Sequence, residues 1–342
     1  MKQLFLSLSI ILAISVGTVV AQTWDKTDFT NDFYDNAQQF DLKGAQSINV
    51  MGEISNPFIL KLGDFPTHSI MVKETDFNDD EISFHGSYTY EGVSLYDLLN
   101  EMHLAKKNEK EFLPIIDLYI EVSNNKGDKA SISWGEVYYP VNRHQIMIAT
   151  KVSRIVPSKT NELWALPANV KLIVGTDLVT CRNIENPTKI EIKSLNCDYV
   201  VNREIKMWSK KINILDGDKV VQTLSELPKD LPAEHFFQVF YGRGRGIHGI
   251  TDFRGAHLKD LLQPHFKPSY ENYQNGMFVI AAVDGYRTAY TYSEIMNRND
   301  NSEVMILDNL DYENRGKFTV IPAADFFSDR AVMAITEIKL LK

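Results

Sequence analysis

The sequence predicts an α+β fold made of two tandem β-rich modules, and three observations lead there. Residues 85–99 recur as residues 248–262. His85, Gly86, Gly92, Leu95, Asp97, Leu98 and Leu99 return as His248, Gly249, Gly255, Leu258, Asp260, Leu261 and Leu262, always 163 residues on. A constant offset over that many positions marks a duplicated unit. Strand-like alternation outnumbers helical periodicity in both copies, and the same hairpin and terminal residues follow in the same order.

The elements can be justified in chain order. Residues 47–51 and 58–62 alternate as strands around the turn Gly52-Glu53-Ile54-Ser55-Asn56-Pro57. Ser94 and Asp97 form an S-x-x-D capping box, and Leu95, Leu98, Leu99 and Met102 fall on one helical face. Residues 117–122 and 130–134 read as a hairpin turned by Gly127. Residues 277–283 and 286–292 repeat it around Asp284-Gly285, a strong turn signal. A further strand pair is expected at 145–149 and 303–307. Each module then closes alike, with Asp177, Arg182 and a strand at 189–193 matching Asp325, Arg330 and a strand at 337–341.

The 342 residues suffice for two domains with their own cores. Hydrophobic content of 44% and charged content of 24% fit a globular protein. A net charge of −9 argues against a general nucleic-acid partner, which needs a basic face. Lys2, the apolar run 4–20 and Val19-Val20-Ala21 read as a signal peptide cleaved near Ala21. The expected organisation is therefore signal peptide 1–21, polar lead-in 22–46, module 1 at 47–195, linker 196–211 and module 2 at 212–342. Export to a periplasmic or extracellular location follows, with no transmembrane segment in the mature chain. Cys181 and Cys197 either pair in an oxidising compartment or stay free thiols.

The order Gly-Glu-Ile-Ser-Asn-Pro, Tyr-Glu-Gly-Val-Ser-Leu-Tyr-Asp-Leu-Leu, then Val-Asp-Gly-Tyr-Arg and Val-Ile-Pro-Ala-Ala-Asp with a later Arg resembles the oxidoreductase molybdopterin-binding domain family, of sulfite-oxidase type. The resemblance spans nearly all of both modules and implies that fold, in two degenerate copies. It also implies a molybdenum held by one cysteine thiolate upstream of the Gly-Val-x-Leu-x-Asp-Leu-Leu segment. Residues 71–91 and 237–254 contain no Cys, and Ser or His does not replace a soft thiolate without changing the chemistry. No cofactor is therefore expected, molybdopterin being the one that the resemblance offers. The expected function is binding, of a small anionic or pterin-like ligand or of an envelope protein partner. The alternative is a molybdopterin-dependent oxidoreductase with an atypical ligand set.

Candidate ligand residues are Arg243, Arg245 and His248 in the segment Tyr-Gly-Arg-Gly-Arg-Gly-Ile-His, with Arg287 and His85. Glycines permit close backbone approach, and arginines grip phosphate or carboxylate through paired hydrogen bonds. The competing readings are a solvated loop, structural histidines, and exposed salt bridges for Lys129, Arg287, Arg182 and Arg330. His68, His103, His144, His235, His257 and His265 show no zinc-ligand spacing, and no catalytic residue is assigned.

Overall fold

Short runs of alternating apolar residues, punctuated by turns, make this chain a stack of sheets. A computed structural model describes residues 38–44, 46–100, 102–155, 163–244, 246–308 and 316–341. The proposed signal peptide and most of the lead-in lie outside the described residues. The first half runs β1 (Phe40–Asp41), β2 (Ser47–Gly52), β3 (Phe58–Lys61), β4 (His68–Asn78), β5 (Glu81–Ser94), α1 (Leu95–Asn100), β6 (Leu118–Asn124), β7 (Lys129–Ser133), α2 (Trp134–Tyr138), β8 (Ile146–Arg154), β9 (Lys171–Val174) and β10 (Pro187–Ser194). The second runs β11 (Ile212–Asp216), β12 (Lys219–Leu224), β13 (Glu234–Gly242), β14 (Gly246–His257), α3 (Leu258–Leu262), α4 (Tyr270–Asn275), β15 (Met277–Ala282), β16 (Arg287–Thr291), α5 (Tyr292–Met296), β17 (Val304–Asp308), β18 (Phe318–Pro322), β19 (Val332–Met333) and β20 (Ile335–Leu341).

These strands form four five-stranded sheets. The order β3-β2-β10-β6-β7 in the first half is matched by β12-β11-β20-β15-β16 in the second. The series β4-β5-β8-β9 is matched by β13-β14-β17-β18. In each half an early strand pairs in parallel with the last one, β2 with β10 and β11 with β20. All described residues belong to one compact unit.

The expectation of two tandem α+β modules of sulfite-oxidase type is overturned here. Among the described residues strands make up 49% and helices 13%, and the four sheets adopt a four-bladed, propeller-like arrangement. The physical reason is visible in α1. Leu95, Leu98 and Leu99 are buried as their spacing requires, but one short helix satisfies them and the chain leaves it at Asn100. Among the described residues, no helix is long and apolar enough to cross a membrane.

The strand period of two sets the cores. In β15, Phe278 and Ile280 enter the main core of the second half, while Met277 and Val279 pack on the opposite face with Leu195 and Tyr119 of the first. Both faces are covered, so the strand reads as an unbroken apolar run. The repeated glycines are explained by close strand approach. A Cβ on Gly92 would strike the backbone carbonyl of Ile148, and one on Gly255 the equivalent carbonyl of Ile306.

Gly92→Ala and Gly255→Ala are each expected to cost about 1–3 kcal/mol, because backbone must yield. Gly63→Ala, which meets open space, should stay within about 0.5 kcal/mol. Urea unfolding midpoints of the three variants check this.

Candidate functional site

The two halves meet through reciprocal loops. Pro140 of the first half bridges Asp325 of the second, and at the matching positions Arg298 bridges Asp177. Asn297 clamps the first-half loop, accepting from the Val179 amide at 2.8 Å and donating to the Val179 carbonyl at 2.8 Å. Conversely, the Phe326 amide donates to the Tyr139 carbonyl at 2.7 Å.

Beneath these loops lies a buried charge cluster built twice. Arg182 donates to both oxygens of Asp177 at 2.8 and 2.6 Å and to Glu136 at 2.8 Å. Arg330 repeats this with Asp325 at 2.8 and 2.7 Å and with Glu294 at 2.5 Å. The capping hydroxyls cross the interface. Ser133, which caps α2, donates to Glu294 at 2.8 Å, and Arg182 donates to Thr291, which caps α5, at 3.2 Å. Gly135 makes room for Arg330, since a Cβ there would strike its side chain. Arg182 and Arg330 are therefore buried cross-braces and not the exposed salt bridges that their sequence context suggests.

Four carboxylates share these two guanidiniums, all six side chains being at least 96% buried. Burial pushes the Glu136 carboxyl up to about 7, against the pull of Arg182, with Glu294 adding repulsion. Burial likewise pushes Asp325 up to about 6 despite Arg330.

Above the cluster a cavity of about 790 Å³ opens between the halves. Matching positions of both halves line it, Pro140 with Arg298, Asn142 with Asp300, Gly175 with Ala323 and Thr176 with Ala324. Of the four buried carboxylates, Glu136 reaches its wall. Met71, Lys73, Thr75 and Phe84 of the β4–β5 hairpin complete it. Arg298 is held by Asp300 at 2.8 and 2.5 Å.

Of the sequence-nominated ligand residues that are described, Arg243, His248, Arg287 and His85, none lines this cavity. Arg243 is exposed at the β13–β14 turn, 3.9 Å from Asp329, and Arg245 lies outside the described residues. His85 and His248 occupy the same β-bulge in their two hairpins, each skipped by the register of its strand pair. His85 sits 3.1 Å from Asp76, and the His248 ring lies 5.6 Å from that of Phe240. Their recurrence thus follows a repeated backbone irregularity. Arg287 is buried across the interface, 3.5 Å from Asp117 and over the Phe112 ring at 4.3 Å.

Both cysteines are free. Burial, with Asp177 nearby, pushes the Cys181 thiol up to about 12, and burial also raises Cys197. Neither lines the cavity, so the thiols present do not fit a thiolate-held molybdenum there.

Sequence spacing missed a second cluster. His68 Nε2 lies 2.6 Å and His144 Nδ1 3.5 Å from Asp97 Oδ2, and the two imidazoles stack at 3.8 Å. Partial burial and the neighbouring His68 hold His144 below its usual value. No family model matches the chain, and no curated protein is similar to it.

Arg182→Met and Arg330→Met should each cost about 3–5 kcal/mol by stranding buried carboxylates, measured by urea unfolding. The Glu136 carboxyl binds its proton more tightly folded than unfolded. Its contribution is thus fully present below its ordinary 4.5 and is lost as pH rises to about 7. Unfolding curves across that window should show Glu136→Gln gaining on the wild type as pH rises, with no further change above.

Proposed function

We propose that this chain is an exported binding protein whose small anionic or pterin-like ligand occupies the cavity between the two halves. The observation that carries this reading is the cavity itself. Its volume of about 790 Å³ is in the range of small-molecule sites, and equivalent loops from both halves frame it. Lys73 supplies positive charge for an anionic group, Arg298 being paired with Asp300. Glu136, with its raised carboxyl, supplies an acceptor for the N–H groups of a flat heterocycle when ionised and a donor for its ring nitrogens when protonated. The apolar leader at 4–20 supports export. The resemblance to molybdopterin-binding domains supports a pterin-like ligand, while the absence of a cavity thiol removes the support for a thiolate-held metal centre.

A protein partner is favoured by a different observation. Phe237, Val239, Ile247 and Ile250 on the β13–β14 hairpin are 50–74% exposed, an apolar grouping on an otherwise acidic molecule.

Calorimetric titration with pterin-6-carboxylate, using inorganic phosphate as the comparison, tests the cavity reading. Saturable binding is expected for the wild type, with at least a tenfold loss in Ala324→Phe, which fills the cavity. No saturable binding of either probe, or unchanged affinity in a folded Ala324→Phe, would overturn it.

A further inference from the structure

We propose that His68, Asp97 and His144 form a binding site for a divalent first-row transition ion of the zinc type. Nothing in this inference depends on what the cavity holds. The three donor atoms, His68 Nε2, Asp97 Oδ2 and His144 Nδ1, lie within 4.8 Å of one another. An ion with bonds of about 2.0–2.2 Å places neighbouring tetrahedral donors roughly 3.4 Å apart. The His144–Asp97 separation is already 3.5 Å. The His68–Asp97 separation of 2.6 Å is a hydrogen bond, which needs to open by less than about 1 Å for an ion to replace the shared proton. Two imidazoles and one carboxylate are a donor set suited to zinc and its neighbours.

The donors are held in place by their surroundings. Asp97 lies in the first turn of α1, where its amide donates to Ser94 Oγ at 3.1 Å. Ser94 Oγ in turn donates to Asp97 Oδ2 at 2.8 Å. His144 sits at φ 67°, a left-handed conformation that costs energy and clusters at functional sites. Its ring is stacked against His68 with 12° between planes and meets the Tyr96 ring edge-on. Arg143, the adjacent cation, is engaged by Tyr96, lying over its ring at 4.8 Å and donating to its hydroxyl at 2.9 Å. The three side chains keep 19–31% exposure, which leaves a path for the ion and room for a water ligand.

The second half supplies an internal control. It builds the same sheets and the same helix, yet it has Glu234, Asp260 and Ser302 at the places of His68, Asp97 and His144. Packing therefore does not require the two histidines, because the duplicate folds without them.

The experiment is titration of the untagged full chain with Zn²⁺ by calorimetry and with Co²⁺ by visible absorption. One ion per chain is expected, with d–d bands of a low-coordinate, nitrogen-bearing site. His68→Gln and His144→Gln should each abolish this stoichiometric binding while keeping the wild-type circular dichroism. Ser94→Ala, which removes the hydroxyl that holds the Asp97 carboxylate and amide and sits 2.9 Å from His144 Nδ1, should weaken binding about 10–100-fold. Absence of a stoichiometric ion in the wild type, or equal affinity in either folded histidine variant, would overturn the proposal. The wild-type cobalt spectrum decides the matter even if a variant fails to fold.

Discussion

Two buried guanidiniums hold this molecule together. Arg182 and Arg330 each chelate an Asp and a Glu of their own half and then reach a capping hydroxyl of the other, Thr291 or Ser133. An ion pair taken out of water is worth little unless every remaining lone pair and proton finds a partner, and half of such an arrangement is worse than none. Neither half completes its set alone. The charge cluster therefore acts as a docking constraint, and the reciprocal loops that frame the cavity are positioned by it.

What could be read in the sequence follows from what repetition reveals and what it hides. The matching of Asp177 with Asp325 and of Arg182 with Arg330 was legible as an equivalence. Their depth was not, because a charged residue in a loop ordinarily faces water. The Asp-Gly turn between β15 and β16 and the alternation in β6 announced their strands. The helices α2 and α5 were missed, although Ser133-x-x-Glu136 and Thr291-x-x-Glu294 carry the sequence pattern recognised at Ser94; Ser133 and Glu136 form the full capping box, and Thr291 accepts from the Glu294 amide. The long hairpins β4–β5 and β13–β14 were also missed: β4 buries one face, but with the charged Glu74 beside Ile70 and Val72, and β13 leaves its apolar residues partly or fully exposed. His68, Asp97 and His144 come from three separate elements, so no local spacing could have joined them.

The duplication has not kept its two copies alike. The β4–β5 hairpin lends Met71, Lys73, Thr75 and Phe84 to the cavity, whereas no residue of β13 or β14 lines it. The cavity is thus symmetric in its framing loops and one-sided in its wall. A symmetric pocket suits a symmetric ligand, and the one-sided wall gives this pocket the means to fix a ligand's orientation.

The parallel pairing of β2 with β10, and of β11 with β20, has a mechanical consequence. In each half these strands stand near the two ends of the chain segment, side by side and pointing the same way. Tension applied through those ends pulls the strands past each other, so their hydrogen bonds are loaded together in shear instead of being unzipped one at a time. Each half is clasped at the point where force would enter it.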